Sequence, residues 1–150
     1  MIKLKEIDRD NFHPVLELSV FDEQKDFVAH NCYSLAQAKA QPECVPLAIY
    51  SDDELVGFVM YCLDFDDNEY WIYRIMIDRK HQKKGYGKIS MQQVLEILQR
   101  DEKHSRVYLS FEPENAEAKK LYESLGFSPD GRMFGREIAY CLNKGEVSIG

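Results

Sequence analysis

A basic segment with two glycines, residues 81–88, has the residue types and spacing that could bind a phosphate group. It follows an aromatic and β-branched run at 71–77, which predicts a buried strand. It precedes a helix predicted by apolar residues at i, i+3, i+4 and i+7, which are Met91, Val94, Leu95 and Leu98. A helix N-terminus presents unpaired N–H groups, and glycines let an anion approach the backbone. The segment therefore predicts a pyrophosphate site, although a glycine-capped helix beside a solvated lysine patch would have the same spacing.

A second amphipathic helix is predicted between residues 115 and 126. Its apolar stripe consists of Ala118, Leu121, Tyr122 and Leu125, and Gly126 ends it. Taken by itself, the stripe makes Tyr122 a core aromatic residue. A tyrosine has a reference pKa of about 10, so its hydroxyl keeps a proton at neutral pH and can donate it to a reacting group.

Both segments resemble signatures of one family. Gln82-Lys-Lys-Gly-Tyr-Gly87 resembles the Q/R-x-x-G-x-G/A signature of the GNAT family of N-acetyltransferases, and 115–127 resembles its second signature, N-x-x-A-x-x-L-Y-x-x-x-G-F. Either signature alone is weak to moderate, but the two in this order with a strand between them are specific. The resemblance covers residues 45–142 well. It implies an enzyme that uses acetyl-CoA as its cosubstrate and needs no metal.

The resemblance also implies roles for individual residues. The strand at 75–77 would separate from the strand at 107–111 and pair its backbone with the pantetheine arm. The implied cofactor-binding residues are Ile75, Met76, Ile77, Gln82, Lys83, Lys84, Gly85, Tyr86, Gly87, Lys88 and Asn115. Tyr122 would lie near the thioester sulfur as the catalytic acid.

The acceptor side is expected in the N-terminal part of the chain. Residues 20–38 contain an acidic residue and Gln, then Phe-Val-Ala-x-Asn, then Ser-Leu-Ala-x-Ala, and so resemble a bacterial branch associated with spermine and spermidine acetylation. A polyamine needs carboxylates for its ammonium groups and apolar or aromatic walls for its methylenes. The predicted substrate-binding residues are Glu23, Asp26 and Tyr73. An acidic loop adds Asp64, Asp66, Asp67 and Glu69, although a helix cap and a solvated loop would also explain these carboxylates.

The expected mechanism is direct attack of the amine in a ternary complex, because no cysteine falls in either signature. The identity of the general base is not decided by the sequence. Tyr73 and Glu112 are the two candidates, and either would hold a water at the strand separation. Other acceptors remain as alternatives: a protein N-terminus, a lysine or an aminoglycoside. A non-enzymatic acyl-CoA-binding module is a further alternative.

The strands and helices that must position these residues are predicted to form a single domain over residues 1–150. The expected fold is α/β (α+β), with one mixed, mostly antiparallel sheet and helices on both faces. Strands are predicted at 2–5, 45–50, 55–61, 71–77, 107–111 and 136–142, and a turn at 129–131. Besides the two helices above, N-terminal helices are predicted at 11–20, 23–30 and 35–40, capped by Asn11, Asp22 and Ser34.

Composition narrows the function classes. The net charge is −7 over 150 residues, which argues against nucleic-acid binding. This charge would attract a cationic small molecule, although composition by itself is explained by solubility alone. No apolar run approaches the roughly 20 residues of a membrane span, and no secretion signal is evident. The four cysteines are therefore expected to be reduced, and the protein cytoplasmic. A homodimer is compatible with the family, but no interface is legible in the sequence.

Overall fold

One seven-stranded sheet organises the chain, whose computed structural model describes residues 1–144. The strands are β1 (Ile2–Glu6), β2 (Cys44–Ser51), β3 (Glu54–Leu63), β4 (Tyr70–Ile77), β5 (Arg106–Phe111), β6 (Ser128–Phe134) and β7 (Glu137–Asn143). Their spatial order is β1-β2-β3-β4-β5-β7-β6. Only β4 and β5 are parallel neighbours among these strands; all the other described pairs are antiparallel. The predicted mixed, mostly antiparallel sheet is confirmed.

Helices cover both faces of this sheet. They are α1 (Phe12–Glu17), α2 (Asn31–Ala40), α3 (Tyr86–Gln99) and α4 (Ala116–Ser124). The predicted apolar stripe of α3 is buried, and it packs with Tyr122 and Leu125 into a core on one face. Val15 of α1 and Leu35 of α2 belong to the core on the other face. The layered arrangement expected from the sequence is therefore confirmed.

The N-terminal helices differ from the prediction. The helix expected at 23–30 is wrong: a 3₁₀ turn covers Asp22–Gln24, and turns follow it. The segment contains the consecutive apolar residues Phe27, Val28 and Ala29, and neighbours in sequence cannot share one face of a helix. Helix α1 also ends at Glu17, short of the predicted residue 20.

The start of α2 was also predicted wrongly. Ser34 does not cap it but lies fully buried within the helix. The cap is His30, whose ring accepts a hydrogen bond from the backbone N–H of Cys32 at 3.0 Å. Histidine is not among the favoured capping residue types, so the sequence pointed to the next serine instead.

Strand β6 was not predicted. Its residues 129–131 were expected to form a turn, because they are Pro, Asp and Gly. In the structure they form an irregularity in an edge strand, with Gly131 at φ +95°, and pairing with β7 resumes at Met133. An edge strand tolerates proline and glycine because one side of its backbone needs no partner. The turn lies further on, at Gly135.

Strands β4 and β5 separate part-way along their length. They pair only from Tyr70↔Val107 to Ile72↔Leu109, although β4 continues to Ile77. Tyr73 is an extra residue in β4, because Ile72 pairs with Tyr61 of β3 while Arg74 pairs with Met60. Such a bulge bends its strand. The predicted splayed pair is confirmed, and the β4 edge from Tyr73 onward faces an open gap.

Acid stability depends on Asp101, which follows α3. Its carboxylate accepts hydrogen bonds from the Lys103 N–H at 2.9 Å, the Tyr70 hydroxyl at 2.8 Å and the His104 ring at 2.8 Å. These donors lower the pKa of Asp101 to about 2. Since the folded-state pKa lies below the unfolded value of about 3.9, the stabilisation is complete above that value and is lost as pH falls toward about 2. We expect wild type to lose more thermal stability than Asp101→Asn between about pH 5 and 2; parallel melting curves would contradict this.

Candidate active site

A cavity of about 1200 Å³ lies in the gap between β4 and β5. It exceeds the roughly 300–1,000 Å³ of a typical small-molecule pocket. Residues from α3, α4 and the loop before α3 line one half, which we call the basic half. Residues from 24–29, the acidic loop 64–67 and the β6–β7 hairpin line the other, which we call the acidic half. The volume and the two linings suit two ligands meeting at the strand separation.

The basic half is built around the N-terminus of α3. Gly85, at φ +82°, precedes the helix and offers no side-chain cap, so the first N–H groups remain available. Lys83 and Lys88 line the cavity beside it, and Lys120 of α4 faces them across the gap. Lys84 is exposed and does not line the cavity. The residues present fit a pyrophosphate.

Gln82 fastens this loop to the rest of the site. Its Nε2 donates to the Ile77 carbonyl at 3.0 Å, at the end of the open β4 edge. Its amide also exchanges hydrogen bonds with the Gln24 amide at 2.9 and 3.1 Å. Gln82 thereby holds the loop before α3, β4 and the N-terminal segment in one arrangement.

The open edge of β4 presents backbone groups to the cavity. Ile75, Met76 and Ile77 all line it. Met76 packs into the core on the α1–α2 face, while Ile75 and Ile77 pack on the α3–α4 face. With the side chains anchored on both faces, the strand backbone can pair with an extended ligand, as a further strand would.

Tyr122 lies on α4 with its ring between Phe111 and Phe127, at centroid distances of 5.3 and 6.1 Å. It is buried, yet it also lines the cavity. Burial, together with the negative charge of Glu137, raises the pKa of Tyr122 to about 12. Its hydroxyl has no hydrogen-bond partner within residues 1–144. The hydroxyl therefore keeps its proton at neutral pH and has no described residue as its acceptor.

Asn115 forms the N-terminal cap of α4. Its Oδ1 accepts a hydrogen bond from the Ala118 N–H at 3.2 Å, and the residue lines the cavity. Because the oxygen is used by the cap, the amide nitrogen can be offered to a ligand.

The acidic half carries hydroxyl and indole donors that hold its carboxylates in place. The Tyr73 hydroxyl donates to Asp64 Oδ2 at 2.8 Å, and Trp71 Nε1 donates to Asp67 Oδ2 at 2.9 Å. Burial and the bond to Asp64 raise the pKa of Tyr73 well above its usual value. Tyr73 lines the cavity as predicted, but a phenol held in its protonated form is unsuited to accept a proton.

Two predicted substrate residues are not brought to the cavity. Glu23 and Asp26 are exposed, and neither lines it. Because no helix forms at 23–30, this segment turns Gln24 and Phe27 to Ala29 toward the cavity instead. Glu112, the other candidate base, pairs with Arg136 at 3.2 Å and does not line the cavity either.

Several cavity residues were missed by sequence reasoning. Ser110 and Glu137 line the cavity and are joined by a hydrogen bond of 2.6 Å from the serine hydroxyl to Glu137 Oε1. Arg132 lies over the rings of Trp71 and Phe134, at 5.5 and 5.4 Å. No spacing pattern marks these residues, since they meet only through strand pairing.

The family model for the Acetyltransferase (GNAT) family matches residues 2–127. The chain belongs to the GNAT family of acetyltransferases. A spermine/spermidine N(1)-acetyltransferase of Bacillus subtilis is 31% identical over 138 residues, which cover 88% of this chain and 91% of that protein. This acetyltransferase is thus related over most of its length to a polyamine-modifying enzyme.

Solved structures with the same fold act on different acceptors. A Vibrio cholerae spermidine N-acetyltransferase in complex with CoA and spermine has a TM-score of 0.76 and 16% identity, covering 97% of this chain and 96% of that one. An aminoglycoside acetyltransferase in complex with coenzyme A and kanamycin has a TM-score of 0.79 and 15% identity, with the same coverage of 97% and 96%. The fold of this acetyltransferase therefore does not select its acceptor.

The described residues contain neither a group of metal ligands nor a membrane-spanning helix. Across residues 1–144, no three His, Cys, Asp or Glu side chains are grouped so that they could hold a metal ion. None of the helices in that range is long and apolar enough to cross a membrane.

Proposed function

We propose that this acetyltransferase moves the acetyl group of acetyl-CoA to a primary amine of a polyamine such as spermidine or spermine. The division of charge across the cavity carries the proposal. Three lysines and one glutamate line the basic half, whereas three aspartates, one glutamate and two arginines line the acidic half. The basic half suits the phosphates of coenzyme A, and the acidic half suits a polycation.

The cofactor side of the proposal rests on the basic half. The α3 N-terminus and Lys83 and Lys88 would hold the pyrophosphate. The open β4 edge at 75–77 would pair with the pantetheine arm, and Asn115 would donate its amide to it. The thioester would then lie at the strand separation, near the Tyr122 hydroxyl.

The acceptor side rests on three carboxylates of the acidic loop, of which, within residues 1–144, only Asp67 interacts electrostatically with an arginine, Arg132. Asp64, Asp66 and Asp67 form no ion pair with a lysine or arginine in the described part of the chain. Trp71 and Tyr73 stand beside them as aromatic walls, which attract ammonium groups and cover methylenes. A polyamine, with ammonium groups separated by short apolar segments, matches both features, and the related B. subtilis enzyme is named for such acceptors.

The transfer is proposed to be direct. None of the four cysteines lines the cavity, so no thiol is placed to take the acetyl group. The neutral amine would attack the thioester carbonyl, and Tyr122 would give its proton to the departing sulfur.

The experiment that tests this proposal measures thiol release from acetyl-CoA with purified protein. The acceptors are spermidine, spermine, putrescine, an aminoglycoside and a short peptide. We expect fast turnover with spermidine or spermine and little with the peptide. Turnover with the aminoglycoside or the peptide alone would overturn the polyamine assignment while keeping the acetyltransferase.

Asp64 is expected to bind an ammonium group of the acceptor. In Asp64→Asn, the amide oxygen can still accept the bond from Tyr73, but the charge is lost, and so is the second oxygen, which accepts the Asp66 N–H at 2.8 Å. We expect the KM for spermidine to rise about tenfold, a loss of about 1.4 kcal/mol, with the KM for acetyl-CoA unchanged. Glu23→Gln is the matched control, because Glu23 is acidic, exposed and outside the cavity. Equal effects of the two substitutions on spermidine KM would contradict this role.

A further inference from the structure

We propose that Glu137 is the catalytic proton acceptor, which takes the proton that the substrate ammonium must lose before it attacks. This assignment rests on the proposed amine acetylation. It concerns a residue outside both sequence signatures, at the start of β7.

The position of Glu137 is set by the sheet. Its Oε1 accepts the 2.6 Å hydrogen bond from Ser110. Ser110 is the first β5 residue beyond the last β4–β5 pair, Ile72↔Leu109. The carboxylate is therefore held at the apex of the strand separation, where the basic and acidic halves of the cavity meet. An amine bound in the acidic half has to reach this apex to meet a thioester bound in the basic half.

The charge of Glu137 is not neutralised by its neighbours. No lysine or arginine pairs with it in the described residues. Arg136, next in sequence, pairs with Glu112 at 3.2 Å. Arg132, on the facing strand β6, is held by Asp130, with Nη2 2.6 Å and Nε 2.8 Å from Oδ2. The carboxylate thus faces the cavity with a serine hydroxyl as its hydrogen-bond partner and can accept a proton.

The other cavity carboxylates are less suited to this step. Asp64 and Asp67 each accept a hydrogen bond on both carboxylate oxygens, whereas Glu137 accepts one on Oε1 alone within the described residues. Asp66 is exposed on the same loop. Glu117 lies in the first turn of α4, in the basic half. The negative charge of Glu137 contributes to the raised pKa of Tyr122 and so helps this tyrosine to keep its proton. A proton donor and a proton acceptor therefore share one end of the cavity.

The proton balance of the reaction closes with these two residues. The ammonium gives one proton to the Glu137 carboxylate, and its freed electron pair forms the C–N bond with the thioester carbonyl. The C–S bond breaks, and the sulfur keeps that electron pair and takes the Tyr122 proton. The second proton lost by the nitrogen restores Tyr122, and Glu137 releases its proton to solvent. The products are the amide, the free thiol and one proton.

The test is Glu137→Gln, whose amide oxygen can still accept the Ser110 bond. With spermidine we expect kcat to fall about 10²-fold, the lower end of the range for losing a positioned base. Both KM values should stay within about twofold, because the loss acts on the reaction step. Glu112→Gln is the matched control and should keep wild-type kcat. Ser110→Ala, which leaves the carboxylate present but not held, should lower kcat by about tenfold.

A second acceptor substrate distinguishes the loss of a proton acceptor from a general disturbance of the active site. Fluorine on the carbon next to the aminomethyl group lowers the pKa of a terminal amine, so a suitably fluorinated spermidine analogue presents a neutral amine at pH 7. Glu137→Gln should acetylate this analogue at close to the wild-type rate. Equal losses on spermidine and on the analogue, or wild-type kcat on spermidine, would overturn the assignment. If wild type acetylates no polyamine, the proposed function itself fails, and the assignment fails with it.

Discussion

Replacing Tyr122 by phenylalanine is expected to lower kcat by about 10³-fold while acetyl-CoA affinity stays within about twofold, because in the proposed mechanism only the proton donor to the sulfur is removed. Protonation of the sulfur as it departs avoids the release of a free thiolate, and Tyr122 is proposed to supply that proton. Burial raises the pKa of Tyr122 to about 12, so this proton remains available throughout the neutral range. The hydroxyl has no partner within residues 1–144, and its removal leaves no buried group unpaired.

The matched control for this prediction is Tyr140→Phe. Tyr140 is also a buried tyrosine, but it lies outside the cavity, and its hydroxyl donates to Glu123 at 2.8 Å. We expect this control to keep wild-type kcat and to lose about 1 kcal/mol of unfolding free energy with its hydrogen bond. Steady-state kinetics, calorimetry with acetyl-CoA and thermal melting measure all three quantities. Wild-type turnover in Tyr122→Phe would remove Tyr122 from the mechanism.

The second large effect is expected from Gly87→Glu, which should weaken acetyl-CoA binding more than about 10³-fold, since it places a negative charge where the phosphates are proposed to bind. The fold has room for the substitution. A Cβ at Gly87 would lie 3.8 Å from Ile77 Cγ1 and from Leu121 Cδ2, which are ordinary contact distances. The new carboxylate would then compete with the ligand for the α3 N-terminus and its lysines.

Two variants separate the steric and the electrostatic contributions to this loss of acetyl-CoA affinity. Gly87→Gln adds the same bulk without the charge, so its smaller loss of affinity measures the steric part. Ile89→Glu adds the same charge at an exposed position of α3 outside the cavity, and it should bind acetyl-CoA normally. Calorimetry measures each affinity. Wild-type affinity in Gly87→Glu would show that this loop does not hold the phosphates.

Local sequence patterns predicted the elements that build the basic half. The stripe of α3, the glycines before it and the strand at 71–77 each depend on residues close together in the chain. The same is true of Tyr122, which lies on the predicted apolar stripe of α4. Each of these signals is a local periodicity or a turn preference, so it is legible without knowing which elements meet.

Prediction failed where packing overrode local preference. The segment at 23–30 has a capping aspartate and charged residues, but its apolar residues are consecutive and turn toward the cavity instead of forming a helix. Strand β6 contains proline and glycine, and it forms because β7 offers it an edge. For the segment at 23–30 a partner is distant in sequence, since Gln24 bonds to Gln82. For β6 the partner is the next strand of a hairpin, and the edge position of β6 is what tolerates its proline and glycine.

The sequence by itself determined the family signatures, the glycine loop before α3 and the acidic balance of the chain, because these depend on residue types and short spacings. Only the tertiary structure decided which carboxylates face the cavity. Glu23 and Asp26 point to solvent, whereas Glu137 reaches the apex through Ser110, 27 residues away. Strand pairing sets such contacts, and a shift of one residue in register would turn the side chains of the shifted strand to the opposite face of the sheet.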